Sequence, residues 1–130
     1  MNILRELIKS RVSLVDKLYY YTDDMEMFTF FLGHHFRLRN PFSSPFREDD
    51  KPSFSIYATQ HGNLVFHDLT KRIRGNIFDF VKVHAHIHEE VELNTFVEII
   101  RYIDTKMGLG MSDAEDFVAE LKKKDNNFFV

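Results

Sequence analysis

The hydrophobic positions change period along the chain, and those changes set the elements. Ile3, Leu4, Leu7 and Ile8 recur at helical spacing and predict a short amphipathic helix over 2–10. The run 13–21 fits either a second helix or an extended segment. Thr22 and Asp23, with Glu26 three residues after the aspartate, form a capping-box signature for a helix over 25–32 that stops at Gly33. From His34 to Arg39 apolar and basic residues alternate, as in a strand with one wet, positive face. A proline-bracketed turn, Pro41 to Pro52, leads into 53–58, where Phe54, Ile56 and Ala58 share one face of a strand. Gln60 to Asn63 is turn chemistry and 64–69 a second apolar run, so the two predict an antiparallel hairpin. Beyond the basic loop of Lys71, Arg72, Ile73 and Arg74, Gly75 and Asn76 mark a break. Ile77, Phe78, Phe80 and Val81 then begin a helix running to His84. Asn94 is expected to cap a further helix with Phe96, Val97, Ile99, Ile100 and Ile103 as its apolar set, ended at Gly108–Gly110. Ser112 and Glu115 open a last one, striped by Ala114, Phe117, Val118 and Leu121, with Lys122 to Lys124 complementing its C-terminus. The fold expected is α+β, a small antiparallel sheet flanked by helices. One domain spans 1–130, with N-terminal helices over 1–33, a core over 34–81 and C-terminal helices over 82–130.

Composition narrows the chemistry. At 130 residues the chain can bury a core without staples, and 14 phenylalanines are expected to fill it. With no cysteine there are no disulfides, thiolate metal sites or cysteine nucleophiles. No signal-peptide pattern and no apolar run of membrane-spanning length occur, so a cytoplasmic protein with no membrane partner is expected. The net charge of −3 argues against a uniformly basic nucleic-acid binder. Its distribution matters more: between Arg37 and Arg74 seven cations face four carboxylates, an excess of three that leaves −6 on the remainder.

The residues that carry the strongest signal are Ser44-Pro45-Phe46-Arg47-Glu48-Asp49-Asp50-Lys51-Pro52-Ser53-Phe54-Ser55-Ile56, then Phe66-His67-Asp68, then Gly75-Asn76-Ile77-Phe78-Asp79-Phe80-Val81. Over roughly 40–81 this resembles the N-terminal zinc-binding domain of bacterial and bacteriophage DNA primases. In that family a Cys-Pro-Phe-His turn precedes a Pro-Ser-Phe-Ser strand, a Cys-x-x-Cys follows the second strand, and Gly-Asn/Asp with Asp-Phe opens a helix. The resemblance implies a zinc-ribbon-like core, a phage protein acting in the cytoplasm of the infected bacterial host, and a loop between two helices at His84 to His88. It also marks a departure. The family's four metal-ligand positions hold Ser44, Arg47, Asp68 and Lys71 here, and neither arginine nor protonated lysine can donate a lone pair to a cation. Neither a metal nor any other cofactor is expected. If the backbone is kept, Arg47 and Asp68 become a candidate ion pair in the metal's place, with Ser44 and Lys71 at its rim.

Other clusters carry less. His84, His86 and His88 are the one group of metal-ligating types, two of them sharing a helix face at i and i+4, but no His-Glu-x-x-His arrangement accompanies them. Glu48, Asp49 and Asp50 are consecutive turn residues, whereas nucleotidyl transfer needs carboxylates converging from separate elements. No catalytic constellation is present, and in primases the catalytic domain is a separate, following one; the chain is expected to be noncatalytic. Phe42, Phe46, Tyr57 and Phe66 interleave with Arg39, Arg47, Lys51 and Arg72, the mixture single-strand binders use. The Gly75-Asn76 turn beside Arg72 and Arg74 also suggests a phosphate-binding helix N-terminus, or simply a cap with solvated arginines. The function the resemblance implies is a metal-free, primase-type DNA-binding module that contacts single-stranded template in preference to duplex. Arg37, Arg39, Arg47, Lys51, Lys71, Arg72 and Arg74 would meet phosphates, with Tyr57 and His67 as the ring candidates on the wet face. The alternative is a module derived from such a domain that docks on, or inhibits, a polymerase, a helicase or a host replication or transcription protein.

Overall fold

The computed structural model describes residues 13–48 and 50–111; the helices expected over 2–10 and from Ser112 onward, and Asp49, lie outside them. The architecture is α+β: four helices and a three-stranded antiparallel sheet among the described residues. The described residues fall into two compact units, 23–99 and a second of 13–22 with 100–111. None of the helices among the described residues is long and apolar enough to cross a membrane.

In the second unit, the segment left open between helix and strand is helical. This is α1 (Leu14–Tyr21), started by a capping box in which Ser13 and Asp16 each accept from the other's backbone N–H. Leu18 is fully buried, and the buried Lys17 ammonium donates to the Met111 carbonyl, which satisfies its charge within the unit.

The larger unit opens with α2 (Asp24–Leu32). Asp23 caps it by accepting the Glu26 N–H at 2.8 Å, and Gly33 closes it at φ +79°, where a Cβ would be strained. Met27, Phe28 and Phe31 are its buried side chains. The hairpin follows as expected: β1 (Phe54–Ala58) pairs antiparallel with β2 (Leu64–Asp68), in the register Phe54 to Asp68, Ile56 to Phe66 and Ala58 to Leu64. Period-2 alternation sends Phe54, Ile56, Leu64, Phe66 and Asp68 inward, all buried, and leaves Ser55, Tyr57, Val65 and His67 half-buried on the other face. Inside, Phe54 stacks on Phe66 with ring centroids 5.6 Å apart, and Phe80 meets Phe28, Phe46, Phe54 and Phe66 at 5.1 to 6.0 Å. Truncating Phe28, Phe54, Phe66 or Phe80, each fully buried, would remove about 3–5 kcal/mol.

Several local expectations are corrected. His34 to Arg39 is no strand: Arg39 sits at φ +66° and the Asn40 N–H donates back to the Arg37 carbonyl, which turns the chain. The edge of β1 is instead met by the Arg39 N–H on the Ile56 carbonyl and by a two-bond bridge between Phe42 and Phe54. Residues Ile73–Gly75, read as a loop and break, form β3, which pairs antiparallel with β2 so that Arg74 lies opposite His67 and Gly75 opposite Phe66. The next helix, α3 (Ile77–Glu89), runs past the expected end at His84, so the three histidines are helical rather than in a loop. In α4 (Phe96–Met107) the Thr95 hydroxyl, not Asn94, accepts the Glu98 N–H. Phe96 and Val97 are exposed where the pattern placed them inside, although Phe96 does pack on the Phe78 ring at 4.7 Å.

Gly75 is fixed by close approach. A Cβ there would fall 2.5 Å from the Asp79 carboxylate, which accepts the Asn76 N–H in the capping box of α3. Gly75→Ala should therefore cost about 1–2 kcal/mol, comparable to a lost cap, read as a lower urea midpoint with the slope unchanged.

Candidate nucleic-acid interface

The four positions that the resemblance singled out, Ser44, Arg47, Asp68 and Lys71, lie in one polar cluster. Asp68 ends β2 with no exposed surface; its carboxylate accepts from the Arg47 guanidinium at 2.8 Å and from the Ser44 hydroxyl at 3.0 Å. The backbone N–H groups of Thr70 and Lys71 also donate to it, at 3.2 and 3.3 Å. Arg47 donates further to the Ser53 hydroxyl, and the Ser44 hydroxyl accepts the Phe46 N–H. Three of the four positions thus bring side chains together. Lys71 contributes its backbone only, and its side chain is exposed. A buried carboxylate is tolerated only with this many donors. The cluster closes the 44–53 turn onto the end of β2 and shapes the turn into β3. It also commits the Arg47 guanidinium, whose side chain is 20% exposed, to Asp68 and Ser53 rather than to a phosphate.

The wet face of the sheet is the second feature. Tyr57 lies opposite Val65, and His67 lies between Ser55 and Arg74, so one ring, one imidazole and one exposed guanidinium share a face. Strands are spaced about 4.8 Å apart, which puts β1 and β3 about 10 Å from each other across it. Lys51 precedes β1, while exposed Lys71 and Arg72 lie between β2 and β3, and all three fall at one end of the sheet. Arg39 stands at the β1 edge beside Ile56, with Arg37 two residues earlier in the same turn. Of the four interleaved aromatics, Phe42, Phe46 and Phe66 pack on other rings of the core, and Tyr57 is the one on the outer face. Beside it, Tyr57, Thr59, Val65, Arg74, Gly75 and Asn76 line a concavity of about 400 Å³. Thr59 and Val65 were not singled out by sequence, and Asn76 only as part of the turn before α3. The missing signal was β3, which turns the loop arginine Arg74 into a face residue next to Tyr57.

The suspected phosphate corner at the start of α3 is a closed cap. The Asn76 side chain accepts the Asp79 N–H and the Asp79 carboxylate accepts the Asn76 N–H, each at 3.0 Å. An acidic group already occupies the place a phosphate would take. The histidines divide between faces of α3. His84 and His88 stack with centroids 4.4 Å apart, and His88 Nε2 donates to the Pro45 carbonyl at 2.6 Å, while His86 faces Lys82, Glu92 and Asn94. Among the described residues no three His, Cys, Asp or Glu side chains are grouped so as to hold a metal ion. Burial against Phe31 and Phe80, with His88 adding to it and Glu89 and the Phe31 backbone opposing, lowers the His84 pKa from 6.5 to about 4.

Two tests follow from these contacts. Asp68→Ala strands the Arg47 charge and two backbone donors; its cost should fall toward the low end of the roughly 3–5 kcal/mol for breaking a buried pair, because Arg47 keeps some water. The double variant Arg47→Met/Asp68→Leu should lose less than Asp68→Ala alone, as read by urea denaturation. For His84, the unfolded chain binds the proton more readily than the folded one between pH 6.5 and about 4. Stability should therefore fall as pH drops through that window, and His84→Leu should flatten that part of the profile. Compared with protein-family models, curated proteins and solved structures, the chain matches none.

Proposed function

We propose that the chain is a metal-free, primase-type module of a phage that binds single-stranded DNA on the outer face of its sheet, without catalysing a reaction on it. The observation that carries this is the juxtaposition of Tyr57 with Val65, His67 and exposed Arg74 on one side of a three-stranded sheet. An aromatic ring offers every base a stacking surface, while flanking cations neutralise the backbone of the strand crossing it. Lys51, Lys71 and Arg72 supply that charge at one end and Arg39 with Arg37 at the opposite edge. Supporting it, the Ser44, Arg47 and Asp68 cluster holds the turn and the sheet together in the way the resembled family uses an ion.

A second reading is favoured by Leu69 and Ile73, 57% and 38% exposed, which bracket Lys71 and Arg72 in the turn between β2 and β3. Such a basic, apolar tip suits an acidic patch on a polymerase, a helicase or a host replication protein.

Fluorescence anisotropy with labelled single-stranded and duplex DNA of one sequence separates the two. The DNA reading expects tighter binding to the single strand, and log K falling with log salt at about −0.7 per phosphate contact. Arg72→Ala/Arg74→Ala should make that slope shallower by roughly one to two contacts. Absence of binding by folded protein at about 10⁻⁴ M, the weak end of nonspecific association, would sink it and leave the protein partner.

A further inference from the structure

We infer that the outer edge of β3 docks an extended peptide segment in which acidic and apolar residues alternate, added antiparallel as a fourth strand. The inference deepens the reading in which the basic, apolar tip meets a protein partner, and it rests on that reading. It follows from the direction in which each strand's backbone groups point. In an antiparallel ladder, facing residues alternate between pairs that exchange N–H and C=O bonds and pairs that do not. The Leu69 N–H donates to the Ser53 carbonyl and the Thr59 N–H to the Asn63 carbonyl, at the two ends of the ladder between β1 and β2. The bonded pairs between those ends are therefore Ser55 with His67 and Tyr57 with Val65. Phe66 and Asp68 turn their groups the other way, onto Gly75 and Ile73 of β3. Arg74 is out of phase with both. Its N–H and carbonyl face away from β2, and neither has a partner among the described residues. On the opposite border of the sheet, Phe42 and Arg39 already bond to Phe54 and Ile56.

Side chains decide what the edge accepts. A peptide residue opposite Arg74 exchanges both backbone bonds with it and sends its own side chain to the same face, beside an exposed guanidinium. A carboxylate suits that position. The residues on either side of it point to the other face, where one lies along Ile73, 38% exposed, and covers it with an apolar side chain. The next residue in that direction runs toward Arg72, exposed just before β3, and a second carboxylate suits it. A second copy of β3 would set arginine against arginine, and a nucleic acid brings no peptide groups to bond the Arg74 backbone. The turn before the edge is held in advance, because the Asp68 carboxylate accepts the Thr70 and Lys71 N–H groups, so little ordering is left for binding to impose. Main-chain bonds at Arg74 fix the strand's register, while the alternating side chains select it.

The test uses the full chain and the peptide Glu-Val-Glu-Val-Glu, labelled with fluorescein at its N-terminus and amidated, with binding read by anisotropy at low salt. Two further peptides keep every charge and side chain but carry N-methyl groups, one on its glutamates and the other on its valines. Glutamate N–H groups lie on the bonded side of such a strand and valine N–H groups on the far side. Methylated glutamates should therefore weaken binding on the order of ten-fold, the scale of two lost hydrogen bonds, while methylated valines leave it unchanged. Arg74→Gln, which keeps the backbone, should weaken the parent peptide several-fold, and a Lys-Val-Lys-Val-Lys peptide should not bind. Equal binding of the parent and both methylated peptides, with the lysine peptide still rejected, would overturn the added strand and leave an acidic partner at the tip standing. Binding of none of the acidic peptides by folded protein at about 10⁻³ M would remove that partner, and the docking edge with it.

Discussion

A single carboxylate, with no surface left to water, governs how the larger unit is assembled. Asp68 ends β2, and charge in that position must be met by donors or neutralised. The donors come from two stretches of chain: Ser44 and Arg47 from the long turn before the sheet, and the Thr70 and Lys71 backbone from the turn after β2. Because β3 starts at Ile73, directly after that turn, the carboxylate also sets where Arg74 lies. The result is an anion surrounded by donors, and it pins a turn to a strand end.

Around that point the sheet separates two environments. Its inner face carries the stacked phenylalanines, whose mutual contacts with Phe80 leave no room for polar groups except the satisfied Asp68. Its outer face, one residue out of phase, holds Tyr57, Val65 and His67 only half covered. A one-residue slip between β1 and β2 would exchange the two sets, so the phenylalanine core is what keeps the tyrosine at the surface.

Features set by neighbours in sequence were legible there. The Asp23 cap, the Gly33 stop and the β1–β2 hairpin all depend on residues within a few positions, or on period 2 sustained over five. What depended on tertiary contact was not. Three residues with an arginine in the middle carry no strand period, so β3 exists only because β2 pairs with it. Phe36 and Leu38 alternate convincingly with basic residues, yet the left-handed backbone at Arg39 turns the chain before a strand can form. Helix α3 continues through three histidines because Ala85 is buried below them and His88 reaches Pro45, neither of which propensity records. Asn94 and Thr95 are both good caps, and only the geometry of the Glu98 N–H chooses between them. For the candidate site, Tyr57 and the cations were readable as types and positions, whereas the place of Arg74 on the outer face follows only from the pairing of β3.

The shortness and charge of β3 have one more effect, on self-association. An open sheet ends in unpaired backbone donors and acceptors, and a long, flat, apolar edge would recruit a second copy and grow. Here one border is partly occupied by Arg39 and Phe42 of the same chain, and the other is three residues long, with Arg74 at its centre and Arg72 just before it. Two such borders brought together would set guanidinium against guanidinium. The arginines beside and within β3 therefore act as gatekeepers against fibril-like stacking, and neutralising them by mutation lowers solubility.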